Sequence, residues 1–317
     1  MTASSLVPRR TIRRAPLTLS LALLAALPGC NFNKLAANQT ASIMNEATPA
    51  LDGFWDYDLA GVGLPGAMMQ LEAFHAISPE NEGLSLNLAK AYVGYANGWV
   101  EAEYEVAYQA GDLDKADRLR QRARLMYLRA HNLALACMRR RDAGIDAALK
   151  SNEERALPRY LEQHYKGKDD VAPLFWTGMA LGAAINMSLD QPDLIAEMPS
   201  AKAIVQRVKA LDDTFFQGSA YLFLATMDSA FPAALGGNPD AGRALFEEGL
   251  RKTGRKNHLM QVAYARVYAV NTQNRELFVK LLTEVIEAPD QGSEVRLSNK
   301  VARRRAERYL AHVDDLF

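Results

Sequence analysis

The sequence predicts an all-α protein, a degenerate tetratricopeptide-like array of helix pairs forming an α-solenoid. Three observations carry that expectation. Beyond Pro49 the apolar residues recur at spacings of three and four, the period of a helix with one buried face. No run of alternating apolar and polar β-branched residues, the mark of a half-buried strand, interrupts this pattern. Two stretches also share the packing pattern of a helix-pair repeat of ~34 residues, one after Pro79 and one around Phe246.

The chain opens with Arg9, Arg10, Arg13 and Arg14, an apolar stretch from Leu17 to Leu27, and Leu27-Pro28-Gly29-Cys30. A basic start, a short apolar run and a small residue before a cysteine compose a secretory leader. The apolar run is about half the ~20 residues a spanning helix needs. Residues 1–29 are therefore expected to be removed as a lipoprotein signal peptide, with Cys30 the site of lipidation. Asn31 fits an outer-membrane destination, facing the periplasm. Residues 30–48 are polar, small and aperiodic, which predicts a flexible tether between the lipid and a helical domain over 49–317.

Within that domain, Pro65 is expected at the start of a helix, and Pro79 at the turn closing a first pair. Leu84, Leu88, Ala89 and Tyr92 then fall where a repeat's first helix packs on its neighbour. Tyr92, Tyr95 and Trp99 continue at spacings of three and four as one aromatic stripe. A long charged helix runs from about Asp114 to Arg140, with Cys137 in it as a small buried hydrophobe. Val171 to Leu189 carries no charge and contains Gly178 and Gly182 at small-xxx-small spacing. Pro173, Thr177, Asn186 and Ser188 dilute it, which favours a buried central helix over a membrane span. Further on, Gly242, Phe246 and Gly249 give a small-large-small face for close helix approach. Four imperfect repeat units accommodate these features.

The chemistry that composition excludes is as useful. The chain holds 37 Lys and Arg against 37 Asp and Glu, and losing the four leader arginines makes the remainder mildly acidic. Such a balance offers no electrostatic footprint for nucleic acid. The five histidines are scattered, with no H-E-x-x-H and no Cys/His ligand pair, so neither metal nor cofactor is expected. Gly61-Val62-Gly63-Leu64-Pro65-Gly66 matches the dinucleotide expression G-x-G-x-x-G but lacks a βαβ setting. The acidic pairs Asp169-Asp170 and Asp212-Asp213 read as caps at helix starts. No nucleophile-base pair points to an enzyme.

A few polar and aromatic residues in apolar helices stand out. Arg266, between Tyr264 and Tyr268, is the one charge from Val262 to Val270, so its burial would need a carboxylate or a wet cavity. Asn186 is placed similarly. Two readings stand for Tyr95, Trp99, Trp176, Asn186, Arg266 and Tyr268: core packing, or the lining of a cavity that receives a ligand or a partner's segment.

Several stretches, taken in order, carry a family resemblance. They run from Leu64-Pro65-Gly66-Ala67-Met68-Met69 to Ser78-Pro79-Glu80-Asn81, then Tyr92-Val93-Gly94-Tyr95-Ala96-Asn97-Gly98-Trp99. They continue with Leu174-Phe175-Trp176-Thr177-Gly178, Phe231-Pro232-Ala233-Ala234-Leu235-Gly236-Gly237 and Thr253-Gly254-Arg255-Lys256-Asn257. Leu297-Ser298-Asn299-Lys300-Val301 and Asp314-Asp315-Leu316-Phe317 close the set. The ordered set resembles the TatT-type lipoprotein component of TRAP transporters, the tripartite ATP-independent periplasmic systems.

The resemblance implies a non-enzymatic, periplasm-facing scaffold that meets the transporter's periplasmic substrate-binding protein and touches the membrane only through its lipid. It also implies a homo-oligomer, with a trimer among the forms such symmetry allows. The alternative is a helical carrier that itself binds an apolar small molecule in an inter-helix cavity.

Overall fold

A computed structural model of the chain describes residues 32–231 and 237–317. The expected signal peptide over 1–29 and the lipidation site Cys30 lie outside the described residues, as do residues 232–236 of the family-like stretch. Among the described residues there is no strand, and the helices pack on one another in chain order. The all-α expectation holds.

Helix α1 (Phe32–Asp52) departs from the expected flexible tether. Its large apolar residues Phe32, Leu35, Ile43 and Leu51 stay exposed, and it packs instead through a stripe of small and polar ones. Ala37 and Ala41 are buried, while Asn38, Asn45 and Asp52, seven residues apart, accept from Asn81, Asn87 and Lys90, the cap and one face of the helix over 82–95. Packing by alanine and amide does not register as hydrophobic periodicity, so the helix escapes the pattern.

Helix α2 (Tyr57–Ile77) starts on Asp56, whose carboxylate accepts from the Leu59 amide at 3.0 Å. Pro65 therefore sits inside this helix rather than at its start. A ring there removes one amide donor and crowds the carbonyl of Gly61 four residues back. The G-x-G-x-x-G run is thus helical, and it is no phosphate loop.

Helix α3 (Glu82–Tyr95) is capped by Asn81 and buries Leu84, Leu88 and Ala89, the predicted repeat positions. Each fully buried leucine contributes about 2 kcal/mol. The chain continues through a π turn, Ala96–Val100, into α4 (Glu101–Gln109).

The long charged helix is α5 (Leu113–Arg141), capped by Asp112 and ending on three arginines that complement its negative end. Cys137 on it is buried, and burial pushes its thiol up. Two short helices, α6 (Ile145–Leu149) and α7 (Ala156–His164), lead to α8 (Val171–Asn186). Buried on almost every face between α5 and α10 (Met198–Leu211), α8 is the central helix that the sequence favoured. No helix among the described residues is long and apolar enough to cross a membrane. The one-turn α9 (Pro192–Ile195) joins α8 to α10.

The C-terminal part holds α11 (Phe215–Ala230), α12 (Pro239–Lys252) and α13 (His258–Ala263), the last running into a second π turn, Tyr264–Ala269. Helices α14 (Arg275–Glu287) and α15 (Arg296–Ala311) follow. Gly242 and Gly249 make the expected close approach: a methyl on Gly242 would overlap the Ser229 hydroxyl, and one on Gly249 would come within 2.7 Å of Tyr221 and Met260. Phe246 fills the space between them, fully buried and stacked on Tyr264 at 4.8 Å.

The array does not stay open. Helix α15 packs back on α1 and α2, so the last helix closes against the first. Arg296 donates to the Gly53 carbonyl at 3.1 Å and Arg304 to Asp58 at 2.7 Å. Deeper in, Arg305 bonds Glu101 at 3.2 Å and the Asn97 carbonyl. Arg308 pairs with Glu105, and the Tyr309 hydroxyl donates to Glu105 at 2.7 Å.

Candidate functional site

An open apolar groove lies over α3, walled by α2 on one side and α5 on the other. Two adjoining hollows of about 430 and 600 Å³ share Tyr92, Arg122 and Met126 and form one channel along the surface. Pro65, Met68 and Met69 supply the α2 wall, and Leu125 and Met126 the α5 wall. Tyr92 and Tyr95 rise from α3 as the floor.

Local sequence explains the arrangement. Helix α2 has no charge between Asp58 and Glu72, so it is apolar all round and keeps a free apolar face after packing on α3. Helix α5 presents Arg118, Arg122, Leu125 and Arg129 at spacings of four, three and four, one stripe of its outer surface. Met69 is 76% exposed and Leu125 62%. Side chains of that size, one in each of two adjoining hollows and open to water, mark an interaction surface.

Polar groups sit at defined points of the groove. Arg129 reaches across it to Glu72 in a bidentate pair at 2.9 and 2.7 Å, which ties α5 to α2. The Arg129 bond holds the Glu72 carboxyl below its usual range, outweighing the partial burial that opposes it. The Tyr92 hydroxyl donates to the same carboxylate at 2.8 Å and is pushed up to about 12, by burial first and by this bond second. At the other end Arg122 lies over the Tyr95 ring at 5.9 Å, and Arg118 has neither ion-pair partner nor hydrogen bond among the described residues.

Tyr95 also begins an aromatic column. It stacks on Trp99 at 5.6 Å, Trp99 stacks on Tyr57 at 4.9 Å, and Arg304 of α15 covers the Tyr57 ring at 5.2 Å. Arginine therefore caps both ends, and the column links the groove to the closure formed by the last helix.

The chemistry available here is recognition. Among the described residues, no cluster of His, Cys, Asp or Glu is placed to hold a metal ion. What the groove offers is apolar area, two aromatic hydroxyl-bearing rings and arginine.

The sequence model of the TRAP transporter T-component family matches residues 55–317, most of the chain and all of the groove. The chain belongs to that family. It is also similar to a protein of Treponema pallidum (strain Nichols) described as an uncharacterized protein, 25% identical over 263 residues, 83% of this chain and 80% of the relative. Membership associates the chain with TRAP transport, as an accessory component on the periplasmic side and not as a member of a known enzyme family.

The residues singled out in the sequence of this T-component do not gather in one place. Tyr95 lines the groove and Trp99 backs it, with the indole N–H donating to the Tyr57 carbonyl at 3.3 Å. Trp176 is buried in a separate aromatic cluster, edge-on to Phe175 at 4.9 Å and to Phe216 at 5.1 Å. Asn186 is exposed at the end of α8. Arg266 is exposed too, and lies over the Tyr309 ring at 5.9 Å. The buried charge that its apolar neighbours suggested does not arise, because Tyr264, Ala265, Tyr268 and Ala269 form the buried stripe and Arg266, two residues from either tyrosine, falls on the opposite face of the turn.

The sequence reading missed Met69, Leu125, Arg118 and Arg122. The signal was present in the uncharged face of α2 and in the basic-apolar stripe on α5, neither of which resembles a chemical motif.

The expected acidic caps also divide. Asp212 accepts from the Thr214 amide at 3.0 Å, whereas Asp213 holds Lys252 at 2.7 Å and the Tyr221 hydroxyl at 2.9 Å. Asp170 accepts from the Gly167 amide and pairs with Arg141, both at 2.9 Å.

Proposed function

We propose that this T-component is a non-enzymatic lipoprotein scaffold that docks the periplasmic substrate-binding subunit of its transporter and assists ligand transfer. The observation that supports it best is the groove over α3: wide open, apolar along its length and edged with unpaired arginine, on a chain of the family that serves TRAP transport. A carrier of apolar small molecules encloses its ligand and buries most of its surface. Met69 and Leu125 stand too far into solvent for that, which favours docking over carriage.

In this reading Cys30 carries the lipid and holds the scaffold at the outer membrane on its periplasmic face. The reach of the anchor is short, because α1 begins at Phe32 and packs on α3 instead of swinging freely.

The test is direct binding of the full chain to the purified substrate-binding subunit, followed by calorimetry at moderate salt. Saturable one-to-one binding in the micromolar range or tighter is expected for an interface of standard size. No heat and no co-elution at high micromolar concentrations sinks the docking reading. A Cys30→Ser chain should move from the membrane fraction to the soluble periplasmic fraction. If it stays with the membrane, the anchor is not at Cys30.

A further inference from the structure

The groove is shaped for one kind of occupant. Helix α3 lies between α2 and α5, and Arg129 to Glu72 fixes the two walls across it. Three helices in a layer with an apolar hollow over the middle one leave the place of a fourth. From Arg118 to Arg129 the α5 wall spans eleven residues, or about 16 Å at the helical rise, which matches three turns of helix. The wall and floor side chains that face the hollow, Met68, Met69, Tyr95, Leu125 and Met126, are the long, adaptable and aromatic types that receive a helix's apolar stripe.

Charge fixes the rest. Arg120 on the same helix is spent on Asp117 at 2.8 Å and Asp190 at 2.6 Å, and Arg129 on Glu72. Among the described residues, Arg118 and Arg122, one turn apart, have no carboxylate partner, and Arg122 lies over the Tyr95 ring. A second copy of this face would bring the same arginines and, among the lining residues, one carboxylate, Glu72, that Arg129 already holds, so it offers Arg118 and Arg122 no free counter-charge.

We infer that the groove receives an amphipathic helix of the substrate-binding subunit, about three turns long, with an apolar stripe toward Met69 and Leu125 and two carboxylates one turn apart toward Arg118 and Arg122. This rests on the docking reading above and specifies how docking is achieved. The occupant is an acidic helix because the open groove presents apolar area and unpaired positive charge on one face, and its walls are helices, which offer no strand edge to pair with an extended backbone.

The experiment compares the full wild-type chain with Arg118→Glu/Arg122→Glu and with Leu125→Asp, measuring affinity for the purified substrate-binding subunit at low and moderate salt. All three positions are exposed, so circular dichroism and melting temperature should stay at wild-type values. The charge reversal is expected to weaken binding by about tenfold or more and to flatten its salt dependence. Leu125→Asp should weaken it similarly with the salt dependence kept.

A photo-crosslinker at position 125 should mark a helical, acid-bearing segment of the subunit, and reversing two of those acids to lysine should restore binding to the doubly charge-reversed chain. Undiminished binding by both folded variants overturns the groove inference while leaving docking intact. So does a crosslink to a second copy of this chain, or a co-purified amphiphile that blocks the subunit. Failure of the wild-type chain to bind the subunit at all is the different result, and it removes the docking reading itself.

Discussion

Gly61 and Gly63 lie two residues apart on α2 and face opposite surroundings. A methyl on Gly61 would overlap the Trp99 indole, whereas one on Gly63 meets nothing within 4 Å. Gly61→Ala is therefore expected to destabilise the protein by about 1–3 kcal/mol through overpacking of the aromatic column. Gly63→Ala should stabilise it by roughly 0.5–1 kcal/mol, because alanine is the better helix former at an exposed site. Opposite shifts in thermal midpoint would verify the packing of Trp99, and equal shifts would refute it. Glu72 makes a second prediction at this scale. Its carboxyl is held low in the fold by Arg129, so its contribution is fully present above the ordinary glutamate range and is lost as pH falls through the folded value. Because the pair is partly exposed, the contribution is roughly 0.5 kcal/mol. Glu72→Gln should lower stability slightly at pH 7 and converge with wild type at acid pH, and denaturant titrations at pH 7 and below pH 4 measure the difference. A gap that persists in acid would mean that Glu72 acts by shape and not by charge.

Among the elements, the two π turns do what regular helices cannot. The first, Ala96–Val100, widens the backbone within one continuous rod and leaves carbonyls open to other donors. Arg305 uses the Asn97 carbonyl and the Tyr57 hydroxyl uses that of Gly98 at 2.8 Å. The helices themselves were legible in the sequence because large apolar residues at a period near 3.6 mark a buried face, as at Leu84 and Leu88. The π turns were not, since one extra residue in a turn leaves that period almost unchanged over a short window. Helix α1 was missed for another reason: it packs through Ala37, Ala41 and two asparagines, which count as polar or neutral. Half of the candidate site was legible as Tyr95 and Trp99, whose aromatic spacing stands out. The other half depends on α5 meeting α2 across α3, which no local pattern states. The predicted small-large-small face of α12 gives a test of element packing. Gly242→Ala would press on the Ser229 side chain and on the Ala225 carbonyl at 3.0 Å, a backbone atom that cannot rotate away. A loss of about 1–3 kcal/mol is expected, measured by chemical denaturation. An unchanged midpoint would mean that α11 and α12 separate easily.

At the scale of the whole molecule, closure decides how stability is shared. An open helical solenoid is a sum of neighbouring units, so loosening its last helix leaves the first ones untouched. Here α15 inserts Arg305 beside Glu101, a carboxylate whose pKa burial raises, and adds the Arg308 and Tyr309 bonds to Glu105. Glu101 also accepts from the Tyr127 hydroxyl of α5, so the contact reaches the middle of the array. Removing the arginine leaves a buried charge with its main counterion gone, which costs about 3–5 kcal/mol when a buried pair is broken from one side. Arg305→Ala is expected to fall in that range, and Glu101→Gln/Arg305→Met, which removes both charges, should recover much of the loss. The location of the damage is more telling than its size. Hydrogen exchange in the Arg305→Ala chain should speed up together in 296–311, in 101–109 and around Tyr57, segments about two hundred residues apart in sequence but joined by the closure. If exchange quickens only in 296–311, the last helix is an independent end unit, and the chain behaves as an open array despite the bonds that span its ends.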